Sequence, residues 1–379
     1  MENLIAAFTS LTGSAPVGVW SAPGRVNLIG EHTDYNDGFC MPFALPHRVL
    51  VAAAPRTDRT WRVRSLNNGE VVTFSGEDLV PGMSGWQAYV AGVVWALGEA
   101  GHAVDGADLV LTSDVPMGAG LSSSAALECA VLTVLADLNA LDIAGIDRAK
   151  LARRCENEFV GAPTGLMDQA ASTLCTEGHA LFFDCRSFET RQVPFDPAEA
   201  GLELLVVDTN TPHTHVDGEY AERRRSCDQA AATLGVPALR DITSDGLADA
   251  LARLDDPIIQ RRVRHVVTED ERVLDAVRRL EAGDVAGLAP LLDASHASMR
   301  DDFEITVPTV DLAVETARRA GAIGARMTGG GFGGCIIALV PRGEADRVAD
   351  AVAAAFAEAG HAAPDRFIAA PSAGAGRIA

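Results

Sequence analysis

The chain is poor in basic residues. Its 379 residues include 31 lysines and arginines against 52 aspartates and glutamates, a formal net charge of −21. So acidic a surface repels phosphate backbones and anionic lipid, which argues against nucleic-acid and membrane partners. It repels a free nucleotide as well. Any nucleotide site must therefore supply positive potential locally, from backbone N–H groups, a few arginines or a metal ion. Cysteine offers no framework either. The seven cysteines run from Cys40 to Cys335, with no C-x-x-C pair and no Cys/His cluster of zinc spacing. They read as reduced thiols, mostly core filler, in a cytoplasmic protein. No apolar run approaches ~20 residues, and Met1–Ile5 does not open a signal peptide, so no membrane span or leader is expected. Repeats of solenoid length and low-complexity blocks are also missing.

What the chain does have is 48% apolar residues, enough for a sizeable core, at a length that suggests two domains. The first part reads as β-rich, with strands at 17–20, 48–52, 61–64 and 109–111 and a helix over about 86–99. A helix is expected to begin near Ser122 or Ser123, where Leu127, Val131, Val134, Leu135 and Leu138 fall at helical spacing. Strands follow at 180–183 and 202–207. From Tyr220 to about Asp293 the pattern is mainly helical, broken at Gly235-Val236-Pro237 and Gly283. A last strand is expected over 335–340, and an Ala-rich helix ends at Gly360. The class is α+β. The boundary is placed near residue 185, giving domains 1–185 and 186–379.

Four segments carry candidate chemistry. In Pro116-Met117-Gly118-Ala119-Gly120-Leu121-Ser122-Ser123-Ser124, small residues join a strand to a helix start. Backbone can approach a ligand closely there, and a helix start presents free N–H groups to an anion. The Walker A spacing is absent. By spacing alone the loop reads equally as an anion cradle or as a small-residue turn with serine caps. The second segment, Gly24–Tyr35, gathers Arg25, Glu31, His32, Thr33 and Asp34. Such groups could surround the hydroxyls of a polyol or decorate a solvated turn; their spacing is a weak metal signal. The third, Glu156–Gln169, holds Glu156, Glu158, Gly165 and Asp168. Without other information Asp168 reads as a helix-cap aspartate and Glu158 as a surface acid. The fourth is a glycine cluster in which Gly329, Gly331 and Gly334 satisfy G-x-G-x-x-G. It precedes a strand instead of following one, so the dinucleotide reading is rejected in favour of close backbone packing beside a site. His213 and His215 are read as solvated, and Arg223, Arg224 and Arg225 as a solvated helix face.

The serine loop resembles the phosphate loop of kinases acting on galactose, homoserine, mevalonate and phosphomevalonate, the GHMP family. Met327–Gly334 resembles that family's third motif, and Gly24–Tyr35 resembles the signature of its galactokinase branch. The resemblance spans residues 22 to 335. It implies two domains with the active site between them, and transfer of a phosphoryl group from ATP to the C1 hydroxyl of α-D-galactose. It further implies that Glu31, His32, Thr33, Asp34, Gly165 and Tyr220 contact the sugar and that residues 118–124 (Gly118, Ala119, Gly120, Leu121, Ser122, Ser123 and Ser124) bind ATP. Ser124 and Glu156 would hold Mg²⁺. Asp168 would be the base or orienting residue, with Arg25 as charge stabiliser. A monomer is expected. The alternatives are a kinase for N-acetylgalactosamine or another related sugar, and a non-catalytic galactose sensor. The intact serine loop speaks against the sensor.

Overall fold

The computed structural model describes residues 1–211 and 216–379. A six-stranded sheet forms the first unit. Its order is Gly376–Arg377, Gly18–Asn27, Pro42–Pro55, Ala107–Ser113, Thr60–Ser65, Val71–Ser75. All neighbours are antiparallel except Thr60–Ser65 and Ala107–Ser113. Thr60–Ser65 turns Trp61, Val63 and Ser65 inward, the two-residue period of a half-buried strand. Gly18–Asn27 is buried along its whole length. It runs beside Pro42–Pro55, and the helix Ser123–Leu138 packs across both. That helix is rich in Ala and Val because it is buried on nearly every side.

The second unit is a four-stranded antiparallel sheet ordered Gly324–Thr328, Cys335–Pro341, Leu202–Asp208, Asp365–Ala369. Helices Val216–Leu234, Pro257–Glu281, Ala289–Ser298, Pro308–Arg319 and Ala345–Ala359 accompany it. Pro257–Glu281 starts with Pro at its first position, and Asp256 accepts the Ile258 N–H at 2.8 Å.

The expected elements are present, with additions. Helix Glu2–Thr12 was not anticipated. Cys335–Pro341 is not the last strand, since Asp365–Ala369 and Gly376–Arg377 follow it. The latter pairs with Trp20 and Ser21, so the chain returns to the first sheet. Residue 185 lies within a hairpin, because His179–Asp184 pairs with Thr190–Pro194. Among the described residues no helix is long and apolar enough to cross a membrane. All seven cysteines are free and buried.

Candidate active site

Between the two units lies a cavity of about 400 Å³. The first unit supplies Arg25, Glu31, Asp34, the serine loop, Glu156 and Asp168; the second supplies Tyr220 and Gly329–Gly331.

At its centre Arg25 holds Asp168 with a two-pronged grip. Nε donates to Oδ1 at 2.8 Å and Nη2 to Oδ2 at 3.0 Å. Nη1 donates to the Gly120 carbonyl at 2.6 Å, which ties the pair to the serine loop. Burial opposes the Arg25 charge, but Asp168 and Glu31 outweigh it and the net shift is upward. Asp168 sits in the first turn of helix Met167–Leu174, yet its carboxylate faces Arg25 and Ser122, so it is not a helix cap. Ser122 sits at φ +59°, a left-handed conformation uncommon for serine. It makes no capping bond; its hydroxyl donates to Asp168 Oδ2 at 2.5 Å. Strain of this kind, aimed at a cavity carboxylate, favours the ligand reading of the loop over the capped turn. Of that loop, Ala119 turns its side chain into the core and offers a ligand only backbone.

On one side of the pair, Glu156 is carried by a wide π-helical turn, Cys155–Val160, that ends helix Gly145–Arg154. Such turns rotate a side chain out of helical register. Glu156 Oε1 accepts from the Ser124 hydroxyl at 2.8 Å; Oε2 accepts from Thr164 Oγ1 at 3.0 Å and Gln169 Nε2 at 2.6 Å. Burial pushes its pKa up. Glu128, fully buried alongside, is raised further by burial and by Glu156, and its Oε1 has no hydrogen-bond partner. A hydroxyl beside a carboxylate is a hard oxygen donor set, and a nearby divalent cation would offset two crowded buried carboxylates. Ser124 and Glu156 therefore fit Mg²⁺. Glu158 is a surface acid, paired with Arg154 at 2.8 Å.

On the other side lie the groups of the Gly24–Tyr35 segment. Glu31 Oε1 accepts the Gly329 N–H at 2.7 Å, and Oε2 accepts from Asn27 Nδ2 at 2.9 Å. Gly329 sits at φ +92°, and a Cβ there would come 2.9 Å from the Gly120 carbonyl, so the glycine cluster packs against the serine loop as expected. Asp34 Oδ1 accepts the Tyr35 N–H at 3.0 Å, while burial and the nearby Asp168 raise its pKa to about 6. Gly165 faces that carboxylate. His32 reaches the cavity, but both ring nitrogens have protein partners. Nε2 faces the Gly330 carbonyl at 3.1 Å, and Nδ1 the Tyr35 hydroxyl at 2.7 Å. A carbonyl only accepts, so Nε2 carries the proton and Nδ1 accepts. Burial holds this ring down to about 3, so it is neutral. The Tyr220 ring packs in a tilted contact with His32, centroids 5.1 Å apart.

Two expectations are corrected. Thr33 does not reach the cavity: it is buried, and its hydroxyl faces the carbonyls of Gly30 and Phe39 at 3.0 and 2.6 Å. Arg223 is no solvated charge, since it donates to the Phe303 and Glu304 carbonyls, and Arg224 lies over the Tyr35 ring. His213 and His215 lie outside the described residues. Sequence reasoning missed Asn27, Glu128, Thr164 and Gln169. For Glu128 a signal existed: it is a lone acid in the apolar run Ala125–Leu135.

The GHMP kinase N-terminal domain matches residues 88–176 and the GHMP kinase C-terminal domain residues 274–358. Fold and site together are those of a small-molecule kinase of this class. The galactokinase galactose-binding signature matches residues 6–55. A curated galactokinase of Streptomyces coelicolor is 54% identical over 374 residues, covering 98% of this chain and 97% of the relative. One from Mycobacterium tuberculosis is 50% identical over 357 residues, covering 93% of this chain and 98% of that one. The structure of Lactococcus lactis galactokinase complexed with galactose superposes with a TM-score of 0.95 at 31% identity, over 100% of this chain and 99% of that one. Mevalonate kinase of Methanococcus jannaschii, 16% identical with a TM-score of 0.68 over 94% of this chain and 98% of its own, shares the fold. The chain belongs to the galactokinase family.

Proposed function

We propose that this enzyme transfers the γ-phosphoryl group of ATP to the C1 hydroxyl of α-D-galactose, giving galactose 1-phosphate and ADP. One observation carries the mechanism. The Arg25–Asp168 pair stands in the cavity between an anion-type loop with a metal-type donor pair and a set of hydroxyl-binding groups.

Glu31 and Asp34 accept from sugar hydroxyls, and Tyr220 and the Gly165 backbone close the sugar side. The free N–H groups at the start of helix Ser123–Leu138 receive the nucleotide phosphates. Asp168 takes or orients the C1 hydroxyl proton. The C1 oxygen then forms its bond to the γ-phosphorus as the bond to the bridging oxygen of ADP breaks. Arg25, held between Asp168 and the Gly120 carbonyl, stabilises charge as it spreads over the transferring group. Bound Mg²⁺, held by Ser124 and Glu156, would neutralise phosphate charge. His32 shapes the pocket through its ring face, its nitrogens being occupied. The hairpin across residue 185 and the returning strand support a first unit running through Pro194 and including residues 376–377.

The test is ATP consumption measured with galactose, glucose, talose, N-acetylgalactosamine and mevalonate. Galactose is expected to give the highest kcat/KM. N-acetylgalactosamine overtaking it would overturn the substrate assignment.

A further inference from the structure

Behind the sugar side of the cavity, the second unit contributes a buried charge network. Arg326, on strand Gly324–Thr328, has no solvent exposure. Its Nη2 lies 3.0 Å from Glu31 Oε1, and its Nη1 donates to the Leu28 carbonyl at 3.0 Å. Glu269, on helix Pro257–Glu281, is equally buried. Its Oε1 accepts the Gly30 N–H at 3.0 Å and the Ser295 hydroxyl at 2.7 Å; its Oε2 pairs with Arg272 at 2.7 Å. The nearest approach of Arg326 to Glu269 is 4.0 Å. His265 Nε2 donates to the Glu31 backbone carbonyl at 3.1 Å. The Gly30–Glu31 backbone and the Glu31 carboxylate are thus both gripped from the second unit.

The acceptor count decides what this grip can do. A carboxylate has about four lone-pair positions. Glu31 Oε1 accepts from Gly329 and is in ion-pair contact with Arg326, and Oε2 accepts from Asn27. With Oε1 held in the ion pair, Oε2 keeps a free lone-pair position, and Glu31 lines the cavity. Burial pushes the Glu31 pKa up and the net shift is upward; the Arg326 charge is the largest opposing influence, favouring the ionised form that offers a sugar hydroxyl an acceptor.

We propose that Arg326, which does not itself line the cavity, is a positioning residue that fixes Glu31 as an ionised acceptor in one orientation and so sets discrimination at the sugar hydroxyl Glu31 receives. The proposal rests on the sugar reading of the cavity. A buried ion pair serving only as a core fastening would lower stability and weaken all substrates alike.

The experiment compares kcat/KM for galactose with that for galactoses lacking the hydroxyl at C2, C3, C4 or C6. It uses wild type, Glu31→Gln, Arg326→Met, Arg326→Lys and Glu31→Gln/Arg326→Met, with circular dichroism and melting curves for each. A site that hydrogen-bonds a hydroxyl rejects the analogue lacking it by roughly 10⁴-fold or more. Glu31→Gln and Arg326→Met are each expected to cut that rejection at least tenfold at one and the same carbon. The KM for ATP should stay within about threefold, Arg326→Lys should retain more of the rejection than Arg326→Met, and the double variant should lose little beyond the worse single one. If Arg326→Met does not fold, the double variant, which removes both charges, is expected to fold. Failure of both Met-containing variants to fold makes the role structural and overturns the proposal. Folded Arg326 variants that keep the wild-type profile while Glu31→Gln loses it refute Arg326 alone. Glu31→Gln with an unchanged profile refutes the sugar contact beneath it.

Discussion

Replacing Gly165 by alanine adds one methyl group against one carboxylate. A Cβ at Gly165 would lie 1.5 Å from Asp34 Oδ2 and 2.4 Å from its Cγ. An ordinary contact begins near 3.4 Å, so the methyl or the carboxylate must move by about 1.9 Å. Gly165 is not in the positive-φ region, so its backbone accepts alanine and the conflict is purely with Asp34. Two escapes exist. Asp34 can rotate away, losing the Tyr35 N–H bond at 3.0 Å, at a cost of roughly 1.5–3 kcal/mol for a bond to a charged group. Alternatively the loop can shift, drawing Thr164 away from Glu156, which it reaches at 3.0 Å. Either escape displaces a group that lines the cavity. Misplacement by about 1 Å can cost on the order of 10²-fold in rate, so kcat/KM for galactose should fall at least that far. The melting temperature should fall by only a few degrees, because a loss of roughly 1.5–3 kcal/mol is small against the unfolding entropy of 379 residues. In an Asp34→Ala background, adding Gly165→Ala should cost less than about threefold, since the obstructed carboxylate is gone. Steady-state kinetics on the four proteins decide it. A Gly165→Ala enzyme within threefold of wild type, or an undiminished penalty in the Asp34→Ala background, would refute the steric reasoning.

Asp168→Asn preserves shape but cannot accept a proton, and should lower kcat by roughly 10²–10⁴-fold, measured by coupled ADP release. Glu156→Gln should shift the Mg²⁺ dependence of activity to concentrations higher by tenfold or more, with the galactose KM little changed; an unaltered Mg²⁺ titration argues against Glu156 as a ligand. For Asp34, whose folded pKa of about 6 lies above the ordinary 3.8, protonation stabilises the free enzyme. That stability is full below pH 3.8 and lost as pH rises through 6. Asp34→Asn should therefore melt higher at pH 8, by on the order of 3 kcal/mol at most. The same substitution should lower kcat/KM for galactose and remove an acid limb near pH 6. Persistence of that limb in the variant assigns it elsewhere; His32, neutral down to about 3, is not its source.

The chemistry of the site was legible where it was written as local runs. The serine loop, Gly24–Tyr35 and Glu156–Asp168 are each contiguous, and the fold converges them on one cavity. The supporting partners were not legible, because their signal is three-dimensional. Nothing in the strand Gly324–Thr328 says that Arg326 meets Glu31, nearly three hundred positions earlier. Thr33 shows the converse: it lies among cavity-lining neighbours in the Gly24–Tyr35 run, yet its hydroxyl is spent closing the turn through the Gly30 and Phe39 carbonyls. Alternation and helical spacing located most strands and helices. They missed Gly376–Arg377, a two-residue strand that exists only because an open sheet edge lies beside it.

That short strand bears on how the chain reaches its fold. Arg377 pairs with Trp20, and its guanidinium lies over the Trp20 ring, 5.1 Å from the centroid. Until residue 377 has been synthesised, the strand carrying Arg25 keeps one edge unpaired. Exposed edges are templates for association between nascent chains, and contacts so distant in sequence form late and slowly. Removing the last few pairing residues would therefore show first as aggregation during expression, while purified protein that escaped it would retain its active-site geometry.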